Sequence, residues 1–440
     1  MNMKNVKILF LFFLFFGFFS TQAQEKLTLN QVIERTKANN KSLKISKNEI
    51  RIAEDKNKEV KNNLLPKIKA SGDYKYFFDL PTQLMPAKAF NPQAPDWQFK
   101  PAQFGVPHNI NANIQLVVPL FNPELYTNIK TTKIAKELSE LKYKKTQRDI
   151  LYNVSKIYYN AQLIKSQLKF LDKNISNTKK LLDNLKLLKS QGLVKGSDVN
   201  KMDLQLSQLH TQYEQAQANY EKTLDILKFY MGMPLNNKID INTDVIVDDD
   251  KYDYNQDNNI DYQLLKKKNS LIYNQIKSLK RSRLPKLSMY ASYGTTGYGY
   301  DEKPHDFLDF YDVSFVGAKL NIPIFNGTTT TRKIKQKKYE LENNNYQLEL
   351  VADQKQMEIK NANLNLAVNK KKISDTDYQI KLAQKVYDQS ILEQKQGVAG
   401  LTDVLMADNN LRMAQQNYLQ AQIDYLKTKL ELKKLTGKLK

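Results

Sequence analysis

The sequence predicts a mainly α-helical protein that also carries membrane-type β-strands and is built from one unit used twice. The first observation is an internal repeat, because residues 191–234 align with residues 396–439 at an offset of about 205. The second is the length of two segments that contain neither glycine nor proline, 124–191 and 328–396. The third is a strict alternation of apolar and polar residues in two pairs of short segments.

The first 23 residues have the pattern of a secretory signal peptide. Lys4 and Lys7 precede an apolar run, and small and polar residues follow it up to Ala23, after which cleavage is expected. The apolar run is too short to anchor the chain across a bilayer. The chain has no cysteine, so no lipid attachment site and no disulfide framework are expected. These features predict an exported protein.

The first repeat is predicted to span residues 24–232. After an opening helix, its elements are expected in this order: strands at about 67–78 and 109–120, a long helix at 124–191, a hairpin tip at 191–197 and a return helix at 197–232. Apolar residues recur at helical spacing along the long segment, which indicates packing against other long helices. The long run stops at Gly192, and Ser197 or Asp198 is the expected N-cap of the return helix.

The second repeat is predicted to span residues 263–440, after a linker at 233–262 that contains an acidic run. Its elements are an opening helix, strands at about 286–298 and 312–323, a long helix at 328–396, a tip at 396–402 and a return helix at 402–437. Here Gly397 ends the long run, and Thr402 or Asp403 is the expected N-cap.

The four predicted strands have one apolar and one hydrophilic face, which is typical of transmembrane β-strands. The residues expected on the wet face, as a barrel lumen, are Lys67, Lys69, Asn109, Asn111, Asn113, Gln115, Lys319 and Asn321. A half-buried sheet in a soluble sandwich is the alternative, but it explains neither the signal peptide nor so few strands beside such long helices. Four strands cannot close a membrane barrel, which needs about eight. The chain is therefore expected to oligomerise, with two, three or four copies as the options.

The composition and motifs do not favour nucleic-acid binding or catalysis. The net charge of +22 is mostly lysine scattered along the helices, whereas nucleic-acid binding would favour clustered arginine with interleaved aromatic residues. The three histidines, His108, His210 and His305, lack zinc-ligand spacing. The chain contains no nucleophile elbow, phosphate loop or dinucleotide fingerprint. We therefore expect no enzyme activity, no metal site and no cofactor.

The sequence resembles a known family. After the second tip, the sequence has a recurring pattern, which comprises Asp403, Val404, Ala407, Leu411, Ala414, Asn417 and Tyr418. This pattern, the duplicated strand–strand–long-helix layout and the opening segment LTLNQVIERTKANNKSLK are similar to the TolC-like outer-membrane efflux proteins. The resemblance covers about residues 24–440.

The resemblance implies a homotrimer whose twelve strands form one barrel in the lipid of the outer membrane, continuous with a helical barrel in the periplasm. Such a channel is the passive exit duct of a tripartite efflux pump or a type I secretion system. A periplasmic adaptor would dock on the hairpin tips, and an inner-membrane transporter would supply the energy. The implied docking residues are Gly192, Leu193, Gly397 and Val398.

The resemblance also implies a constriction at the periplasmic end of the tunnel. Well-known members narrow it with two aspartates one helical turn apart, and the corresponding residues here are Asp403 and Met406. Asp198 and Asp403 are also explained as helix N-terminal carboxylates favoured by the macrodipole. A secreted coiled-coil structural or adhesive protein without a pore remains the competing class, although it gives no reason for the paired strands.

Overall fold

The computed structural model describes residues 25–243, 255–301 and 309–439. The predicted signal peptide, the middle of the predicted linker and His305 lie outside these residues. The strands are β1 Glu25–Leu27, β2 Lys67–Tyr76, β3 Thr82–Pro86, β4 Phe99–Gln103, β5 His108–Phe121, β6 Ile239–Ile241, β7 Lys286–Gly299 and β8 Asp309–Asn321. The helices are α1 Leu29–Asn39, α2 Lys41–Asn62, α3 Pro123–Ser190, α4 Gly196–Met231, α5 Ile260–Arg281, α6 Thr329–Lys395 and α7 Leu401–Leu435.

The chain divides into two compact units that do not coincide with the two sequence repeats. The sheet unit comprises Ile50–Leu138 and Lys266–Tyr346. The helical unit comprises the other described residues, including both hairpin tips. Each unit draws on both repeats, because matching segments of a duplicated sequence fold beside each other. The predicted fold class, mainly helical with paired strands and a duplicated unit, is confirmed.

The sheet unit contains one four-stranded antiparallel sheet in the order β2-β5-β7-β8. The central pairing, between β5 and β7, joins the two repeats from His108↔Gly299 to Phe121↔Leu287, with a bulge between Pro119 and Phe121. β2 and β8 are the edge strands, and every residue of β2 is exposed. With four antiparallel strands, the two edges run in opposite directions.

The long connection between β2 and β5 contains structure that the sequence pattern did not predict. The proline-rich sequence of residues 79–108 predicts an exposed loop, whereas the structure places an antiparallel hairpin of β3 and β4 there, with Thr82 paired to Gln103. The hairpin contains Pro86 and Pro101. Both of its strands are edge strands, so the missing backbone N–H of a proline costs little stability.

In the helical unit, a continuous apolar core joins α3, α4 and the short parallel pair β1 and β6. It contains Leu27, Val154, Leu168, Leu227 and Ile241, among others, all buried. The apolar stripe predicted along the long helix supplies one side of this core. None of the described helices has the length and hydropathy of a membrane-spanning segment.

An ion pair between Lys165 of α3 and the buried Asp240 connects β6 to the hairpin of the first repeat. The Asp240 carboxylate accepts hydrogen bonds from Lys165 Nζ at 2.5 Å, Tyr220 Oη at 2.7 Å and the Ile241 N–H at 2.9 Å. Burial raises the pKa of Asp240, but these three donors together outweigh it and hold the pKa below its ordinary value. The ionised carboxylate therefore stabilises the folded state above its ordinary pKa, and this contribution is lost as the pH falls through the lowered pKa.

We therefore expect Asp240→Asn to lower the unfolding free energy of the helical unit by ~1.5–3 kcal/mol at pH 7, because charged hydrogen bonds are lost. The difference between wild type and variant should shrink as the pH falls below ~4, because the Asp240 carboxylate of the unfolded chain then binds a proton, and it should vanish only below the lowered pKa of the folded state. Thermal unfolding followed by circular dichroism at pH 7 and pH 3 measures both effects. Asp203→Asn, at an exposed position of α4, is the matched control. Equal stability of D240N and wild type at pH 7 would contradict this account.

Candidate functional site

The register of the sheet places all eight predicted lumen residues on one face. Paired residues of an antiparallel sheet point to the same side. Lys69 pairs with Gln115, and Gln115 pairs with Ser292. Ser288 of the same β7 face pairs with Lys319 of β8. The same alternation assigns the remaining residues, which are Lys67, Asn109, Asn111, Asn113 and Asn321. We call this the polar face.

Side-chain hydrogen bonds run across the strands of the polar face. Ser71 Oγ donates to Asn113 Oδ1 at 3.0 Å, and Thr296 Oγ1 donates to Asn111 Oδ1 at 2.8 Å. Asn111 Nδ2 donates in turn to Asn109 Oδ1 at 2.7 Å. Amides and hydroxyls arranged in this way on exposed strands are suited to contact with water.

The opposite face of the sheet is apolar and exposed. Its residues from the four strands include Ile68, Ala70, Tyr74, Ile110, Ile114, Leu116, Met289, Ala291, Tyr293, Val316, Ala318 and Leu320. The side chains of Ile68 and Val316 are each 72% exposed. A soluble protein rarely exposes a contiguous apolar surface of this kind, whereas membrane strands present one to lipid.

The two hairpin tips have the same backbone geometry. Gly192 has a φ of +75° and Gly397 a φ of +73°, which is the left-handed region that favours glycine. The Leu193 N–H donates to the Leu188 carbonyl at 2.9 Å, and the Val398 N–H donates to the Glu393 carbonyl at 2.9 Å. These are the six-to-one hydrogen bonds of a Schellman cap. Both long helices therefore end in the same glycine C-terminal cap.

The residue after each glycine presents an aliphatic side chain to solvent. Leu193 is 67% exposed and Val398 is 77% exposed. No described atom lies within 4 Å of a β-carbon added at Gly192 or Gly397, so the space around both turns is open. The structure thus brings the four predicted docking residues to two matching, accessible tips, while docking itself stays a prediction.

The predicted N-caps of the return helices are wrong. α4 begins at Gly196 and α7 at Leu401, so the N-cap positions are Lys195 and Gly400. Asp403 lies one turn inside the helix, where its Oδ2 accepts a hydrogen bond from the Gly400 N–H at 2.9 Å. An aspartate at this third position satisfies the N-terminal backbone as an N-cap would, and the sequence pattern does not separate the two registers.

The constriction candidates lie on the first turns of α7. Met406 is 61% exposed and Asp403 is also exposed, on a helix whose other face is buried. The hydrogen bond from the Gly400 N–H orients the Asp403 carboxylate toward the helix N-terminus, where the helix macrodipole favours a negative charge. A role in a pore ring is compatible with this geometry and stays a prediction.

A buried carboxylate lies near the tips at a position that the sequence pattern does not identify. Asp408 of α7 is 6% exposed, and its Oδ2 lies 3.2 Å from Arg412 Nε and accepts a hydrogen bond from Gln205 Nε2 of α4 at 3.3 Å. Burial raises the pKa of Asp408, and Arg412 and Gln205 oppose this only in part. In sequence, Asp408 looks like any solvated helical carboxylate, so only the tertiary contact identifies it.

An apolar cluster packs the two hairpins together beside this charge. It joins residues from α3, α4, α6 and α7, including Leu182, Leu185, Met202, Tyr387, Val404 and Leu411. Burial, followed by the negative charge of Asp408, raises the pKa of Tyr387 to about 12. The two hairpins therefore pack on one apolar cluster near their tips. A displacement of one hairpin against the other would disturb both this cluster and the Gln205–Asp408 hydrogen bond.

A known protein family matches both repeats of the chain. The family model described as "Outer membrane efflux protein" matches residues 32–233 and 267–438, which is most of the chain in two segments that mirror the duplication. No curated protein sequence matches the chain.

Solved structures of outer membrane proteins share the fold. The outer membrane protein VceC of Vibrio cholerae has a TM-score of 0.74 at 13% identity, covering 93% of this chain and 96% of its own. The Campylobacter jejuni CmeC outer membrane channel has a TM-score of 0.72 at 16% identity, covering 93% and 85%. The Neisseria gonorrhoeae MtrE outer membrane channel, solved in its open state, has a TM-score of 0.69 at 14% identity, covering 93% and 88%.

These similarities confirm the family resemblance and the outer-membrane location inferred from the sequence. The family is one of transport channels and not of enzymes. A duplicated chain, a four-stranded sheet with one apolar and one polar face, paired helical hairpins and a family match over both repeats lead to one assignment: this chain belongs to the outer membrane efflux protein family.

Proposed function

We propose that this protein is the passive outer-membrane exit channel of a tripartite efflux pump, a homotrimer that a periplasmic adaptor and an inner-membrane transporter open. The observation that carries the proposal is the four-stranded sheet with two open edges, one exposed apolar face and one polar face. A single sheet of this kind would not be stable in a membrane, because unpaired backbone groups at its edges cost several kcal/mol each in hydrocarbon.

Copies of the chain satisfy both edges at once. β2 and β8 run in opposite directions, so β8 of one copy pairs antiparallel with β2 of the next. This head-to-tail contact repeats around a ring until it closes. Three copies give twelve strands, which is a size that encloses an aqueous lumen; the family resemblance supplies this number.

The helical unit supports the same assembly. The exposed side of α6 carries large apolar residues at seven-residue spacing, Leu350, Met357 and Leu364, each more than half exposed in the single chain. A repeat of seven is the spacing at which one long helix packs along another. Neighbouring copies would cover this stripe.

The tips provide the place for a partner. An adaptor that packs on Leu193 and Val398 would bury two exposed aliphatic side chains in matching surroundings. Because the two hairpins share one apolar cluster, docking at the tips would bias the arrangement of the hairpins and hence the width of the tunnel. Asp403 and Met406 would line its narrow end.

Detergent-purified protein tests this function directly. We expect particles of three chains, and discrete conductance steps when they are inserted into planar lipid bilayers. Cells that lack the protein should accumulate small toxic compounds. A loss of secreted polypeptides without any change in compound sensitivity would instead indicate type I secretion. A stable monomer that needs no detergent would overturn the channel and leave the structural or adhesive alternative.

A further inference from the structure

The polar face is not uniform along the strands. In the half of the sheet nearest the start of β2 and the end of β8, it carries four lysines, Lys67, Lys69, Lys286 and Lys319, of which Lys286 forms an ion pair with Glu124 at 2.6 Å. The carboxylates that the described strands place on this face, Asp73 and Asp309, lie in the other half, where Asp73 pairs with Lys75 at 3.2 Å. One half of the polar face is therefore positively charged and the other is nearly balanced.

Two aromatic rings lie in the same half and on the same face. Tyr290 pairs across β7 and β8 with Gly317, and Phe315 is its diagonal neighbour. The two rings meet edge to face with centroids 6.0 Å apart. Gly317 makes room for them, because a β-carbon there would lie only 2.8 Å from Cζ of Tyr290.

Most of these side chains lie on the two edge strands, and Tyr290 lies on the adjacent inner strand β7. β2 supplies Lys67 and Lys69, and β8 supplies Phe315 and Lys319. If copies close a cylinder by pairing these edges, the cationic and aromatic side chains meet at each seam between copies. The resulting site is incomplete in a single chain.

We propose that this cationic and aromatic half of the polar face is a selectivity zone for anions, and that the preferred cargo is organic anions with a flat aromatic part. The proposal rests on the proposed channel function and names the class of its cargo. Rings of like charge on the wall of a narrow aqueous pore concentrate counter-ions, because the surrounding low dielectric focuses the field. Exposed aromatic rings add stacking surface for a planar group.

The first experiment measures ion selectivity. In planar bilayers with a potassium chloride gradient, the reversal potential of wild type should give a chloride-to-potassium permeability ratio above one. The triple variant K67Q/K69Q/K319Q should lower that ratio at least ~3-fold, whereas the triple arginine variant at the same positions should keep it. K41Q/K44Q/K47Q, which removes three exposed lysines of α2, is the matched charge control and should keep the wild-type ratio.

The second experiment tests the aromatic component with naphthalene-1,5-disulfonate as the probe. We expect this probe to interrupt the current of wild-type channels, and Y290S/F315S or Gly317→Val to shorten the interruptions while leaving the chloride preference in place. A naphthalene carrying a trimethylammonium group should interrupt the current less often than the disulfonate.

The outcomes separate this inference from the proposed function. Channels that conduct but prefer potassium, or whose chloride preference survives K67Q/K69Q/K319Q, overturn the anion zone and leave the channel function intact. Equal interruption by the anionic and cationic probes overturns the cargo class. The absence of any conductance overturns the proposed function and this inference with it.

Discussion

Replacing Val316 with arginine should prevent stable assembly of the protein in the outer membrane. Val316 lies near the middle of β8 on the apolar face and is 72% exposed. An arginine facing lipid near the bilayer midplane costs ~2–4 kcal/mol, which is more than a tenfold shift against assembly for each chain. The measurement is the fraction of protein in the outer-membrane pellet and its oligomer band on an unheated gel.

Val313→Arg is the matched control for this prediction. Val313 is also a valine of β8, 50% exposed, but it lies on the polar face three residues away. We expect V313R to assemble like wild type, because its side chain would face water. If both variants assemble equally well, or if V313R fails and V316R does not, the assignment of the two faces is wrong.

Replacing Leu193 and Val398 with aspartate should abolish export while the channel still assembles. Both side chains are exposed in the chain, so their loss removes no buried contact. Each would be an aliphatic anchor in a docked complex, and losing such an anchor costs ~2 kcal/mol or more, over tenfold in partner affinity per tip. Accumulation of an exported dye in cells gives the readout.

The control variant L193I/V398I keeps an aliphatic side chain at each tip and should export normally. Single-channel conductance of L193D/V398D should equal that of wild type, which separates failed docking from a damaged pore. Normal dye export by L193D/V398D would contradict tip docking and would leave the proposed channel to be opened elsewhere.

The alternation of residues was enough to predict the sheet, because a strand with lipid on one side and water on the other leaves a period of two. Lys69 and Gln115 lie on the same face as predicted, although they are 46 positions apart in the chain. The β3–β4 hairpin was missed, because Pro86 and Pro101 read as loop residues and only a two-stranded edge accommodates them.

At the tips, glycine was a sufficient signal for where each long helix ends. The residue after the helix adopts a left-handed backbone conformation there, which glycine favours. The start of the following helix was misplaced, since Asp403 serves the N-terminal backbone equally well from the third position of the helix. Asp408 could not be recognised, because its burial depends on Gln205 and Arg412, and the first of these is about two hundred positions away.

The sequence by itself determined the duplication, the long helices, the two-faced strands and the family, since periodicity and repetition are local properties of the chain. Only the tertiary structure decided which strands are edges, how the two repeats share one sheet and the apolar cluster near the tips, and which charges are buried. These depend on contacts between residues far apart in the sequence. The division of the polar face into a cationic half and a balanced half belongs to this second group, because it emerges only when the register aligns the four strands.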